Sequence, residues 1–318
     1  RKESSAASDV YKRQANYLAL YNHTIKVITP TDYPDFLTWM KGNDDVLIYN
    51  KSEKNTAYAN SLIADADLIF CLDFSALHRI NDMGKIVRNA QGKKVLIDHH
   101  IAPEDFADFS LHNVNASATA ELIYDFIGLF DDLDKIEKHI GECIYAGIMT
   151  DTGSFRFPST SSKVHLILAD LINKGINHSY VHQIIYDDNN EDRLRLLGYT
   201  LSNKLTVLPE YNTAYITLSK NELKKFNTRN GYCEGFVNYA LSIKGVVFAA
   251  LISEGDGLIK LSLRSTGDFS VNEFASDNFQ GGGHKNASGG RNFSSLEETI
   301  KKFENLLPLY KTKLVNAL

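Results

Sequence analysis

Three aspartates stand where chemistry is easy to build. Asp73 follows the apolar run ADLIFCL at 66–72. Asp98 follows KKVLI at 93–97 and is succeeded directly by His99 and His100, and Asp151 closes a helical run containing small residues. In an open parallel sheet, ligands collect at the carboxyl ends of the strands, so groups far apart in sequence can meet on one rim. Carboxylate oxygens combined with imidazole nitrogens suit Mn, Fe, Co or Zn, whereas calcium prefers oxygen alone. Two ions about 3.5–4 Å apart, bridged by a carboxylate, turn a shared water into hydroxide near neutral pH, which is the chemistry of phosphoester hydrolysis. The plainer reading makes Asp98 a turn cap and leaves the histidines on the surface. One aspartate or one histidine would not outweigh it. Asp-His-His at a strand end, with two further aspartates at element ends, tips the reading towards a site.

A second constellation is glycine-rich: Gly281, Gly282, Gly283 and His284, followed by Asn286-Ala-Ser-Gly-Gly290. Backbone without Cβ lets N–H groups approach an anion closely. Arg264 and Ser265, at the end of a preceding strand, place a guanidinium suited to bidentate phosphate pairing. The stretch matches neither the P-loop nor the dinucleotide fingerprint, and a glycine turn beside a surface arginine is the bland alternative. Arg156, five residues after Asp151, is in reach of a substrate phosphate, and Arg79 is a weaker candidate. His112, His139, His165, His178 and His182 read as surface or helix-face histidines, and Cys71 as an inert thiol in a buried strand.

The elements that must position these groups alternate. Strands are predicted at 27–28, 46–49, 66–72 and 93–97, with helices at 33–40, 56–64 and 81–91 between them. Continuous apolar strands between helices predict an α/β domain whose parallel sheet is covered on both faces. Helices at 118–130, 133–149 and 163–174 follow. A charged stretch at 187–195 opens a helix that ends before Pro209. Beyond it lie a strand at 213–218 and a helix at 234–243. A hairpin, 246–253 with 257–264, turns about Glu254-Gly-Asp-Gly257, and helices at 271–279 and 294–307 complete a smaller α+β domain. The predicted organisation is a first domain over 15–190, a linker helix over 191–210 and a second domain over 211–318. Residues 1–14, RKESSAASDVYKRQ, carry neither period and are expected to be a non-native or disordered extension.

A chain of 318 residues fits two domains. Lys and Arg number 34 against 39 Asp and Glu, a net charge of −5, which excludes a wrapper of long duplex DNA but not a local cationic pocket. No run reaches the roughly 18 apolar residues of a membrane span, and the first residues carry no apolar h-region of a signal peptide. Cys71, Cys143 and Cys233 form no short-range pair. A cytoplasmic protein with no membrane association is expected.

The motifs resemble those of the DHH phosphoesterases. Asp98-His99-His100 looks like the family's Asp-His-His signature, Asp73 like its second motif and Asp151 like its fourth. Gly281 to His284, with Arg264 and Ser265, resembles the DHHA1 domain that follows in that family. The order and spacing hold from about residue 15 to residue 307, and the layout is most similar to the bifunctional oligoribonuclease and phosphoadenosine-phosphate phosphatase subgroup. This implies a metal-dependent phosphoesterase acting on short oligoribonucleotides and 3'-phosphoadenosine 5'-phosphate, with two divalent ions, usually manganese. It also implies that Asp73 bridges the ions, that His99 and Asp151 bind the second, that His100 contacts the scissile phosphate and that Asp98 orients the imidazoles. Arg264, Ser265, Gly282, Gly283 and His284 would hold the far end of a short nucleotide. A cyclic- or linear-dinucleotide phosphodiesterase of the same superfamily shares all these residues. A nucleotide-binding module without catalysis is the alternative from another class. The family's first motif supplies a His and two Asp upstream of residue 15, and RKESSAASDVYKRQ does not match it. The expectation is an incomplete first metal site and weak or no activity in the chain as written. These residues leave a homodimer open.

Overall fold

The computed structural model describes residues 15–33, 35–228 and 231–317. The expectations for residues 1–14 lie outside the described residues. The chain divides into two compact units between Asp188 and Asn189.

Parallel strands organise the first unit. β1 (Ile28–Thr29) pairs with β2 (Leu47–Ile48), and β3 (Leu68–Leu72), β4 (Lys93–Asp98) and β5 (Phe109–His112) form a separate parallel sheet in that order. The four strands expected in one sheet are therefore split between two sheets. β5 was not legible: it is four residues long, only two of them apolar, and Phe109 is exposed on this edge strand. The helix expected at 33–40 is reduced to a single 3-10 turn, Asp35–Leu37. α1 (Glu53–Asp65) and α2 (Met83–Asn89) flank β3 in sequence.

Side chains alternate across a strand with a period of two. Leu72 and Ile97 face one apolar core, while their neighbours Cys71 and Leu96 face another. The sheet is thus covered on both faces, the condition for parallel strands. The first core is filled by α3 (Thr119–Gly128), α4 (Lys138–Asp151) and α5 (Ser162–Asn173), followed by the short α6 (His178–His182). α4 is buried along most of its length, from Ile140 to Met149. Gly141 admits this: a Cβ there would lie 2.8 Å from the Ile176 side chain. A helix buried all round carries its last residue, Asp151, inwards with it.

The second unit begins with α7 (Glu191–Asn203), capped by Asn190, whose Oδ1 accepts the Arg193 N–H at 2.9 Å. This helix was read as a linker over 191–210. It packs into the second unit's core through Leu196 and ends at Asn203, and β6 (Leu205–Leu208) follows almost at once. A single turn residue, Lys204, separates helix from strand, so the sequence hid the change. β7 (Thr213–Leu218), α8 (Lys220–Lys225), α9 (Phe236–Leu241), β8 (Phe248–Glu254), β9 (Ile259–Ser265) and α10 (Val271–Asn278) come next. β10 (Gly282–His284), β11 (Ala287–Asn292) and α11 (Leu296–Val315) complete the unit. The sheet order is β10-β11-β9-β8-β7-β6, antiparallel except for β7 with β8. Phe248, Phe274 and Phe303 meet on one face of the sheet, and Phe236 and Val237 pack on the other. α11 runs beyond the 307 expected, past Pro308, because Leu314 still packs into that core.

Candidate metal centre

Parallel register gathers the strand ends. Leu72 pairs with Ile97 and Asp98 with His112, so Asp73, Asp98 and the two histidines emerge on one rim. The Asp73 N–H donates to the Ile97 carbonyl at 3.1 Å. Asp73 itself has φ +63°, a left-handed conformation that costs a non-glycine residue about 1 kcal/mol. Strain of this kind gathers at functional sites, where the surroundings over-determine it.

Four ionisable side chains are buried together here, with Asp98 0% exposed, Asp73 1%, His100 4% and His99 6%. The His99 Nδ1–H donates to the Ala116 carbonyl at 3.0 Å, which leaves the Nε2 lone pair facing the carboxylates. That Nε2 lies 3.7 Å from Asp73 Oδ1 and 3.9 Å from Asp151 Oδ2. One donor atom from each of Asp73, His99 and Asp151 lies within 4.8 Å of the others. His100 Nδ1 donates to Asp98 Oδ1 at 2.7 Å, while Asp98 Oδ2 is buried with no hydrogen-bond partner. Asp98 was expected to orient both imidazoles. It holds His100 alone, and a backbone carbonyl holds His99.

The electrostatics follow the burial. Loss of water pushes the Asp73 carboxyl up to about 7, with the Asp151 and Asp98 charges adding to it and the two imidazoles opposing. Burial also disfavours charge on Asp98, but its hydrogen bond to His100 and the nearby imidazole charges outweigh this and hold it below the ordinary value. His100 is raised to about 9, because Asp98 and Asp73 overcome the cost of its burial. Carboxylates crowded in a dry pocket, with an imidazole lone pair turned towards two of them and an unpartnered oxygen nearby, fit a divalent cation.

Arg156 is exposed, and its Nε–H donates to the Gly153 carbonyl at 2.7 Å. In the second unit, Arg264 sits near the end of β9 and is only 6% exposed. Its Nη1 donates to the Leu263 carbonyl at 2.7 Å and more distantly to that of Ser288, while Nε has no hydrogen-bond partner. Burial lowers this guanidinium to about 10, against the favourable charge of Glu234. The Ser265 hydroxyl is engaged within its own loop, donating to the Phe269 carbonyl at 2.6 Å and accepting from Asn286 at 2.9 Å. Gly282, Gly283 and His284, read as an anion-binding loop, form strand β10 instead, and the Gly283 N–H donates to Asn272 Oδ1 at 2.8 Å. The glycines answer to close packing: a Cβ on Gly281 would lie 2.2 Å from the Gly289 carbonyl oxygen.

The model of the DHH family, N-terminal domain, matches residues 7–148, and that of the DHHA1 domain matches residues 211–308. Over 290 residues the chain is 30% identical to the probable bifunctional oligoribonuclease and PAP phosphatase NrnA of Streptococcus mutans, covering 90% of this chain and 86% of that protein. The chain belongs to the DHH family. The bifunctional oligoribonuclease and PAP phosphatase NrnA of Bacillus subtilis is 29% identical over 229 residues, covering 71% of this DHH chain and 70% of its relative. The crystal structure of an exopolyphosphatase-related protein from Bacteroides fragilis superposes with a TM-score of 0.89 at 41% identity, covering 98% of this chain and 89% of the other. The DHH chain is thus a phosphoesterase hydrolase. No helix among its described residues is long and apolar enough to cross a membrane.

Two side chains of this DHH protein escaped sequence reasoning. His112, read as a surface histidine, ends β5 and its Nε2–H donates to the His100 carbonyl at 2.6 Å. Thr119, fully buried at the start of α3, donates to Asp73 Oδ1 at 2.7 Å. The run Ala116-Ser-Ala-Thr-Ala120, small residues opening a helix just after the Asp-His-His strand, was the available signal. Thr119→Val keeps the shape and removes the donor. It should weaken Mn2+ binding about thirtyfold, as loss of a hydrogen bond to a ligating carboxylate does. Calorimetric titration checks this, and an unchanged affinity would remove Thr119 from the site.

Proposed function

We propose that this DHH chain hydrolyses short oligoribonucleotides and 3'-phosphoadenosine 5'-phosphate, with manganese as its metal. The observation that carries the reading is the convergence of Asp73, His99 and Asp151, with the His99 lone pair turned towards the two carboxylates. A divalent ion held by these three would supply Lewis acidity and a water acidic enough to be hydroxide near neutral pH. His100, fixed by Asp98 and held positively charged, is suited to donate to a phosphate oxygen. Within the second unit Arg264, with an unused donor, would hold a phosphate of a short nucleotide, and Ser265 and the 282–284 strand would border it. The activities in the names of the Streptococcus mutans and Bacillus subtilis relatives support this substrate class.

The test is phosphate release from 3'-phosphoadenosine 5'-phosphate and nucleotide release from a dinucleotide RNA, both with Mn2+. The chain as written is compared with a version carrying a relative's first motif ahead of residue 15. Hydrolysis of both substrates by the second version, abolished by EDTA, is expected. Hydrolysis of cyclic dinucleotides alone would move the substrate class. Tight Mn2+ binding with no hydrolysis of any phosphoester by either version would overturn the enzymatic reading.

A further inference from the structure

Asp151 is the one donor of the cluster that no strand end fixes. It closes α4, and the chain leaves it through Gly153, Ser154 and Phe155, all left-handed at φ +57°, +61° and +64°. Residues with a Cβ resist that conformation, so the turn must be held from outside its own backbone. Part of the hold is local. The Ser154 N–H donates to the Met149 carbonyl at 2.8 Å, the Phe155 N–H to Thr152 Oγ1 at 3.0 Å, and the Phe155 ring packs edge-on against Tyr145.

The rest comes from beyond α6. There the helix loosens into a π turn, Gln183–Asp187, a geometry that recurs at functional sites. His182, just before it, brings Nε2 to 3.1 Å from Ser154 Oγ. Tyr186, four residues on, sets its ring 5.0 Å from that of His182, tilted 45° to it, and points its hydroxyl at the Met149 carbonyl, 3.5 Å away. One side chain therefore grips the chain after Asp151 and the other reaches the residue two before it. Asp187 lies 3.9 Å from the His182 Nδ1 on the solvent side.

We propose that His182, braced by Tyr186, is a positioning residue that holds the Asp151 turn and aims its carboxylate at the ion shared with Asp73 and His99. The inference rests on the metal-centre reading above. A carboxylate already held in place loses less freedom when an ion arrives, so the hold appears as affinity.

The test is Mn2+ titration followed by electron paramagnetic resonance, on the wild type and on His182→Ala, His182→Gln, Ser154→Ala and the Ala/Ala double variant. His182→Ala and Ser154→Ala should each weaken Mn2+ binding about tenfold, the low end for loss of an outer partner. The double variant should be no weaker than either, and His182→Gln, which keeps a hydrogen-bonding group near Ser154, should recover most of the affinity. If His182→Ala fails to fold, Ser154→Ala, which deletes one hydroxyl, decides the question. Wild-type binding with unaltered affinity in Ser154→Ala would overturn this inference alone. A glutamine variant as weak as alanine would assign the effect to bulk and overturn it too. Absence of Mn2+ binding in the wild type would overturn the metal-centre reading, and this inference with it.

Discussion

In the version carrying a relative's first motif, Asp73→Asn will abolish divalent-ion binding, reduce phosphoester hydrolysis by at least about 1,000-fold, or about 4 kcal/mol of transition-state stabilisation, and yet make the ion-free protein more thermostable. The two effects have one source. Asp73 is 1% exposed, and in the absence of an ion its charge faces Asp151 and Asp98 across a dry pocket. A buried charge without full compensation destabilises the fold, and an isosteric neutral group removes that penalty. Asparagine also suits the geometry. It tolerates the left-handed φ of +63° better than most residues, and its carbonyl oxygen can accept the Thr119 hydroxyl in place of Asp73 Oδ1. The fold should therefore survive the change. With an ion present the sign reverses, because the amide oxygen is a poor substitute for a carboxylate that neutralises the cation. Scanning calorimetry in EDTA at pH 8, beside phosphate release and Mn2+ titration, measures both arms. A variant less stable than wild type in EDTA would show that Asp73 serves the fold rather than the ion. Retained Mn2+ affinity would remove it from the donor set.

The parts of this site that were legible in the sequence were those the sheet itself dictates. Parallel strands must place their carboxyl ends together, so an acidic residue after ADLIFCL and Asp-His-His after KKVLI had to share a rim. What was illegible is held by atoms without a residue code or by contacts across the chain. His99 takes its orientation from the Ala116 carbonyl, and any residue has a carbonyl. His112 and His182 looked like solvent-facing histidines because nothing local says that one ends a short edge strand and the other meets Ser154. The glycine run has two readings that composition cannot separate. Glycines that let a phosphate approach and glycines that let two strands and a helix approach have the same composition. The short distance from a Cβ on Gly281 to the Gly289 carbonyl, and from one on Gly290 to that of Phe279, gives those two glycines a packing role. β6 was missed for a related reason, since a four-residue strand directly after a helix carries no period of its own.

Arg264→Met should raise KM for phosphate-ended substrates about 30-fold with kcat little changed, while leaving the second unit as stable as before or more so. The guanidinium lies buried in the hairpin, donating to the Leu263 and Ser288 carbonyls and keeping Nε without a hydrogen-bond partner. Carbonyl dipoles do not neutralise a cation as a carboxylate would, and the lowered value of about 10 reflects that burial. Replacing such a group with an apolar side chain of similar volume is commonly neutral or stabilising. On the proposed function, the return on that cost comes in the bound state, where a phosphate would add its charge to that of Glu234 through a charge-assisted hydrogen bond of about 1.5–3 kcal/mol. Because that contact is made equally to substrate and transition state, its loss falls on KM. Arg264→Lys should not rescue, since an ammonium cannot reproduce the planar fork. Steady-state kinetics on 3'-phosphoadenosine 5'-phosphate, in the version carrying a relative's first motif, with thermal denaturation of each variant, separates the alternatives. If Arg264→Met melts well below wild type with KM unchanged, the arginine is a structural strut between β9 and β11, and the phosphate must be held elsewhere.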